Sequence, residues 1–243
     1  MLKTFSISDI GRKRNVNQDY VNTTEKPIGN LPNLFVVADG MGGHKAGDYA
    51  SRLAVETIFS SVEKSTEEDM VKLIRKAIES ANEMVYEKSL EDPEFEGMGT
   101  TVVVATCRGN KLQVANVGDS RLYVVGDKIR QITEDHSFVE EMVRMGALDK
   151  EAARTHAKKN VITRALGVNG GIEVDFFSVE LEEEELVLLC TDGLTNMLED
   201  DEIRMIIQGQ RDIVEKAEVL VEEANKRGGT DNISVVLIEP MAR

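Results

Sequence analysis

Residues 100–132 read T-T-V-V-V-A-T-C-R-G-N-K-L-Q-V-A-N-V-G-D-S-R-L-Y-V-V-G-D-K-I-R-Q-I. Four strand-like segments follow one another here, at 100–107, 111–118, 121–126 and about 128–132. The turns R-G-N-K and V-G-D-K between them suit hairpins, because glycine and Asn/Asp accept the backbone angles of a tight reversal. Strands joined this way pair antiparallel, whereas a doubly wound parallel sheet needs a helix between successive strands. That parallel alternative is disfavoured.

On the N-terminal side, 2–8, 18–24 and 33–39 also read as strands. Two helices follow. Ala46, Ala50, Leu53, Ala54 and Ile58 mark one over 46–62, and Met70, Ile74, Ala77, Ile78, Ala81, Met84 and Val85 mark another over about 67–90. On the C-terminal side, 137–166 looks irregular with short helical pieces. Strands return at 172–181 and 186–191, helices near 200–208 and 211–226, and a last strand at 232–238. This order suits an α+β fold in which two stacked antiparallel sheets are covered by helical layers. No repeat, low-complexity stretch or linker divides the chain, and residues 1–243 are expected to form a single domain.

The formal net charge is −15, which argues against nucleic acid or an anionic membrane as a partner, since both need a basic face. Apolar runs such as Leu186 to Cys190 are too short to span a membrane, and the N-terminal M-L-K-T-F-S-I-S-D lacks a secretory apolar stretch. Cys107 and Cys190 stand singly in apolar runs and read as buried free thiols. These features point to the cytoplasm. The run Glu182 to Glu185 reads as a solvated turn.

Four aspartates stand where apolar runs begin or end: Asp39 in L-F-V-V-A-D-G-M-G-G-H, Asp119 in V-A-N-V-G-D-S-R, Asp192 in L-V-L-L-C-T-D-G and Asp231 in G-G-T-D-N-I-S-V-V-L-I. Asp-Gly and Asp-Asn are common turn dipeptides, so any one of them could merely cap a turn. Four together suggest one acidic centre gathered from distant segments, because unpaired carboxylates are costly in a core and cheaper where they share a cation. With three histidines lacking paired ligand spacing and two isolated cysteines, the donor set suits Mg²⁺ or Mn²⁺ and not zinc.

Eight segments then carry a family resemblance: G-R-K-R-N-V-N-Q-D (11–19), V-A-D-G-M-G-G-H (37–44), G-T-T (99–101), V-G-D-S-R-L-Y (117–123), T-E-D-H-S (133–137), I-T-R-A-L-G (162–167), T-D-G-L (191–194) and G-G-T-D-N-I-S (228–234). In this order they resemble the metal-dependent protein serine/threonine phosphatases (the PPM, or type-2C, family) in their compact bacterial form. The resemblance implies a four-layer α-β-β-α sandwich with two central antiparallel sheets and a flap over about 137–165. It implies hydrolysis of phosphoserine and phosphothreonine in proteins, opposing a bacterial kinase, with that kinase and its substrates among the partners. A monomer is suggested.

By the same resemblance, Asp39 bridges two Mn²⁺ or Mg²⁺ ions with the Gly40 carbonyl on one of them, and Asp192 and Asp231 are further ligands. Asp119, with Asp192 contributing, would hold a weaker third ion. Asp19 matches an acidic residue that orients metal-bound water, and Arg14 matches the arginine that grips the substrate phosphate. The implied reaction is direct attack of a metal-bridging hydroxide on phosphorus, without a phosphoenzyme. Neither cysteine carries the Cys-x₅-Arg loop of a thiol phosphatase. Three roles stay open for His44: leaving-group acid, phosphate contact or loop-shaping residue. His136 reads as a loop organiser and Asn232 as a turn and support residue. Arg154, Lys158 and Lys159 in the flap either dock acidic substrates or form a solvated basic turn.

Overall fold

The computed structural model describes residues 2–43 and 46–240. The chain opens on β1 (Lys3–Asp9), β2 (Asp19–Thr24) and β3 (Leu34–Met41), followed by the long helices α1 (Ala46–Lys64) and α2 (Met70–Glu91). The strand-rich middle contains β4 (Gly99–Thr100), β5 (Val102–Arg108), β6 (Lys111–Val117), β7 (Arg121–Val125) and β8 (Ile129–Gln131). Two short helices, α3 (Phe138–Arg144) and α4 (Lys150–Thr155), lie in the flap segment. Then come β9 (Asp175–Glu180), β10 (Leu186–Cys190), α5 (Asp192–Thr195), α6 (Asp200–Gln208), α7 (Ile213–Lys226) and β11 (Ile233–Glu239).

One sheet runs β1-β11-β10-β7-β8 and the other β2-β3-β5-β6-β9, with β4 added beside β3. Every named ladder is antiparallel. The period-2 geometry of a strand explains the layering. In β3, Phe35 and Val37 point into the space between the sheets, where they meet Val103, Val114, Leu122, Leu189 and Val236. Their neighbours Leu34, Val36 and Ala38 point the other way, onto Ile58 of α1 and Ile74 and Ile78 of α2. The other sheet mirrors this: Leu188, Cys190, Val235 and Leu237 face Leu220 and Ala224 of α7 and Ile203 and Ile207 of α6. Both faces of each sheet are therefore covered, so the strands read as nearly continuous apolar runs instead of alternating ones. The result is the expected α-β-β-α sandwich.

Differences from the sequence reading have local causes. The strand expected over 100–107 is broken at Thr101, whose N–H donates to the Asp39 carbonyl (2.9 Å) and whose hydroxyl accepts from the Asp39 N–H (3.0 Å). Helix α2 starts at Met70 because Asp69 caps it, its carboxylate accepting from the Lys72 N–H. The four-residue α5, to which the sequence reading assigned no element, follows β10 after Thr191. Both cysteines are buried free thiols, Cys107 between the sheets and Cys190 on the outer face toward α7. The Glu182–Glu185 run is a turn, but Glu185 is more than solvated, since its carboxylate accepts from Arg130 at 2.9 Å and from the Glu182 N–H. No helix among the described residues is long and apolar enough to cross a membrane.

Candidate metal centre

The two sheets deliver their acidic residues to one rim. Asp19 opens β2 and lies directly opposite Asp39 of β3 in the antiparallel register. Like charges placed this way are destabilising, so the pairing itself calls for compensation. Asp39 stands two residues inside its strand, a correction to the strand-end position expected for it. Asp119 occupies the turn from β6 to β7, which crosses from one sheet to the other, and Gly118 before it takes φ +110° against the Thr101 side chain. Asp192 opens α5 after β10, and Asp231 stands two residues before the start of β11. Asp19 and Asp119 are buried, while Asp39, Asp192 and Asp231 are half-buried.

These carboxylates feel one another. Burial, with the charges of Asp19, Asp192, Asp119 and Asp231 added, pushes Asp39 well above the ordinary carboxylate range. Burial raises Asp19 to about 7, against the hydrogen bond it accepts from Thr191 and with the charges of Asp192 and Asp231 adding to the rise. Burial with the charge of Asp192 brings Asp119 to about 8, and burial with that of Asp231 brings Asp192 to about 6. One oxygen each of Asp19, Asp119 and Asp192 is buried with no hydrogen-bond partner among the described residues. A buried acceptor left unmatched costs about 1–3 kcal/mol, and more when charged. Hard oxygen donors of this kind fit Mn²⁺ or Mg²⁺. Among the described residues, however, no three His, Cys, Asp or Glu side chains close into a finished cage.

The partnered oxygens are held from behind. Thr191 donates to Asp19 Oδ2 at 2.8 Å while accepting from the Ser234 N–H. Asn196 Nδ2 donates to Asp192 Oδ2 at 2.9 Å, and Lys159 Nζ in turn donates to Asn196 Oδ1 at 3.1 Å. Thr100 donates to the Asp39 carbonyl at 2.9 Å, and the hydroxyls of Thr101 and Ser120 lie 2.8 Å apart. Gly40 donates its N–H to the Gln18 carbonyl. Arg14 Nη2 donates to Asp231 Oδ2 at 2.7 Å, in an ion pair whose guanidinium stays 47% exposed. Asn232 Nδ2 donates to the Ile10 and Val16 carbonyls while Asn232 Oδ1 accepts from the Gln18 N–H. That matches the support role expected for Asn232.

Of the sequence-derived site residues, Asp19, Asp39, Gly40, Asp119, Asp192, Asp231 and Arg14 meet at this rim. His44 lies outside the described residues. The supports Thr191, Thr101, Ser120 and Asn196 were not anticipated. Thr191 alone left a trace, as a hydroxyl placed between an apolar run and Asp-Gly.

A cleft of about 840 Å³ opens between flap and body, with Asp119, Asp192 and Arg121 on the body side and Val139, Arg144 and Arg154 on the flap side. Of the flap cations, Arg154 and Lys159 are tied to the body, while Lys158 stays exposed in a turn. Arg154 pairs with Glu199 at 3.0 Å and donates to the Thr195 carbonyl, Lys159 holds Asn196, and Lys158 Nζ lies over the Phe138 ring. His136 does organise its loop. Its Nδ1 accepts from the Gly118 N–H (2.9 Å), and its Nε2 lies 2.9 Å from Asp175 Oδ2 and 3.0 Å from Arg164 Nη1.

The protein phosphatase 2C family model matches residues 20–233, from the start of β2 into β11. The chain belongs to the protein phosphatase 2C family. It is 41% identical over 241 residues to the serine/threonine phosphatase stp of Listeria welshimeri, covering 96% of this chain and 93% of that one. The crystal structure of the serine/threonine phosphatase Stp1 of Staphylococcus aureus superposes with a TM-score of 0.92 at 33% identity, covering 100% of this chain and 96% of that one. The catalytic domain of the phosphatase PstP, solved in complex with two manganese ions, gives a TM-score of 0.86 at 32% identity, with 98% and 97% covered. A protein phosphatase of this family thus carries five aspartates on the shared rim of its two sheets.

Proposed function

We propose that this protein phosphatase removes phosphate from phosphoserine and phosphothreonine in proteins, and that two Mn²⁺ or Mg²⁺ ions, with a weaker third, occupy the aspartate rim. The observation that carries the reading is the set of buried, unpartnered oxygens on Asp19, Asp119 and Asp192, beside an Asp39 whose charge its neighbours resist. Such a set is stable only when protonated or when a cation from outside joins it. The names of the relatives and the manganese complex of PstP support the same choice.

In this reading Asp39 and the Gly40 carbonyl, with Asp192 and Asp231, hold the two core ions, and Asp119 with Asp192 holds the third. When bound, the ions supply Lewis acidity and a water acidified enough to attack phosphorus in line, with no phosphoenzyme. The protein's own part is positioning and charge. Asp19, fixed by Thr191, would accept a hydrogen bond from the attacking water and aim it. Arg14 keeps one N–H on Asp231 and has others for the phosphate oxygens, which fixes the phosphate beside the carboxylates. Asn196 prevents Asp192 from rotating away. His44, close in sequence to the rim, stays a candidate donor to the leaving oxygen.

We place residues 1–243 in one catalytic domain with its flap at about 137–165, acting as a cytoplasmic monomer. It would oppose a bacterial Ser/Thr kinase, with that kinase and its substrates as the phosphoprotein partners. The test is phosphate release from a phosphothreonine peptide as Mn²⁺ is titrated in, for the wild type, Asp39→Asn and Asp231→Asn. The reading expects metal-dependent turnover lost in both variants. Folded wild-type protein that releases no phosphate at any Mn²⁺ level would overturn it.

A further inference from the structure

Residues 12–14 are Arg-Lys-Arg, the single run of three consecutive cations in a chain of net charge −15. Arg14 is engaged with Asp231. Arg12 and Lys13 are exposed, and neither side chain has a hydrogen bond or ion pair among the described residues. Around the centre, Arg121 is committed to Asp135, Arg154 to Glu199, Lys159 to Asn196, and Arg164 to Asp175 and Glu173, while Arg144 and Lys150 on the flap side of the cleft have no hydrogen bond or ion pair among the described residues. Arg12 and Lys13 therefore present unmatched positive charge next to the rim.

Their backbone is fixed even though their side chains are free. Gly11 takes φ +81° and packs so closely on the Asp231 and Gly229 carbonyls that an added Cβ would collide with them. The Gly11 N–H donates to Asp9 Oδ1 at 2.8 Å, and the Arg12 N–H to the Gly229 carbonyl at 2.7 Å. Asn232 grips the loop at both ends, through the Ile10 and Val16 carbonyls. A loop held at this many points does not have to be ordered when a ligand arrives, so little affinity is lost to entropy.

We propose that Arg12 and Lys13 form a subsite for an anionic side chain, a carboxylate or a second phosphate, one or two residues from the phosphoresidue being hydrolysed. This rests on the phosphatase reading above. Extended peptide advances about 3.3–3.6 Å per residue. A flanking anion thus lies within reach of two long side chains that adjoin Arg14, the phosphate-gripping residue of that reading. The subsite selects substrates by charge, and its contribution fades as salt screens it.

The experiment uses the full chain with Mn²⁺ and three phosphothreonine peptides of equal length, one with neutral flanks, one with flanking glutamates and one with a second phosphothreonine. Wild type should turn over the acidic peptides with a kcat/KM about three- to tenfold above the neutral one. In Arg12→Ala/Lys13→Ala the acidic-to-neutral ratio should fall to about one. In Arg12→Glu/Lys13→Glu it should invert, which a merely structural role for the loop would not produce. A preference limited to the doubly phosphorylated peptide assigns the subsite to phosphate, and a preference for both assigns it to anions generally. Equal kcat/KM for all three peptides in the wild type, or a ratio unchanged by both variants, overturns the subsite alone. No turnover of any peptide would instead overturn the phosphatase reading.

Discussion

Two groups of carboxylates lie at low exposure in this molecule, and the chain treats them in opposite ways. Asp135, with a side chain only 9% exposed, receives the Arg121 fork through Nε and Nη2 at 2.7–3.0 Å. Asp175 takes Arg164 and His136. Burial works to raise its pKa, but those hydrogen bonds outweigh burial and hold it below the usual carboxylate range. At the rim five aspartates share one guanidinium, and four of them are pushed upward. The protein does place cations beside buried carboxylates where structure needs them, and at the rim it largely does not. Asp135 and Asp175 are complete as they stand, whereas the rim is left short of positive charge, which supports the proposed metal centre.

The largest effect should come from breaking the complete set. Arg121→Ala leaves Asp135 with only the Gln131 amide as a donor, and losing the charged partner of a buried pair costs about 3–5 kcal/mol. Denaturant unfolding should show that loss with or without Mn²⁺, and a change below about 1 kcal/mol would mean that solvent already compensates the pair. The rim should answer in the opposite manner. Asp39→Asn removes charge from the crowd, so metal-free stability should hold or rise. Its Mn²⁺-dependent kcat should fall by at least about 10²–10³-fold, the scale seen when one preorganised electrostatic group is lost. Steady-state kinetics alongside thermal melts would check both halves, and near-normal turnover would remove Asp39 from the centre.

The same comparison shows what could be read from sequence. Asp39, Asp119, Asp192 and Asp231 were legible because a carboxylate beside a long apolar run is conspicuous. The layered fold was legible because hairpin turns such as R-G-N-K bound strands whose two faces are both apolar. The supports were not, because what Thr191 and Asn196 do depends on contacts between distant segments. Thr191 meets Asp19 across 172 positions, and a threonine ending a strand is an ordinary sight. Nor could the ties of Arg154 and Lys159 be read, since their partners Glu199, Thr195 and Asn196 lie about 40 residues further on. The short helix α5 was hidden by length, because four residues carry no periodicity.

A smaller effect tests those supports. Thr191→Val keeps the shape but removes the hydroxyl that donates to Asp19 and accepts from the Ser234 N–H. Losing an orienting partner of this kind typically costs about 10–100-fold in metal affinity or activity. The midpoint of Mn²⁺ activation should therefore move upward by about that factor, while the fold melts within a few degrees of wild type. An unmoved midpoint would show that Asp19 needs no support from Thr191.

The subtlest effect concerns pH in chelated protein. The folded values of Asp192 (about 6), Asp19 (about 7) and Asp119 (about 8) all lie above the 3.8 of a free aspartate. Between pH 4 and 8 the folded state thus binds more protons than the unfolded one, and stability falls as pH rises. The contribution is fully present below about pH 4 and declines progressively above it, the share of each aspartate being gone once its folded value is passed. Other carboxylates, Asp175 among them, gain stability over the lower part of that range, so the clean window is pH 5.5–8. For a chain of this length each kcal/mol moves the melting midpoint by about 2–4 °C. With chelator present, the Tm should drop by several degrees from pH 5.5 to 8. With Mn²⁺ the slope should flatten or reverse, because a bound cation favours the same deprotonated aspartates that repulsion opposes. A chelated Tm that stays level across this window would mean that the rim carboxylates already find compensation within the chain, and the contrast with Asp135 and Asp175 would collapse.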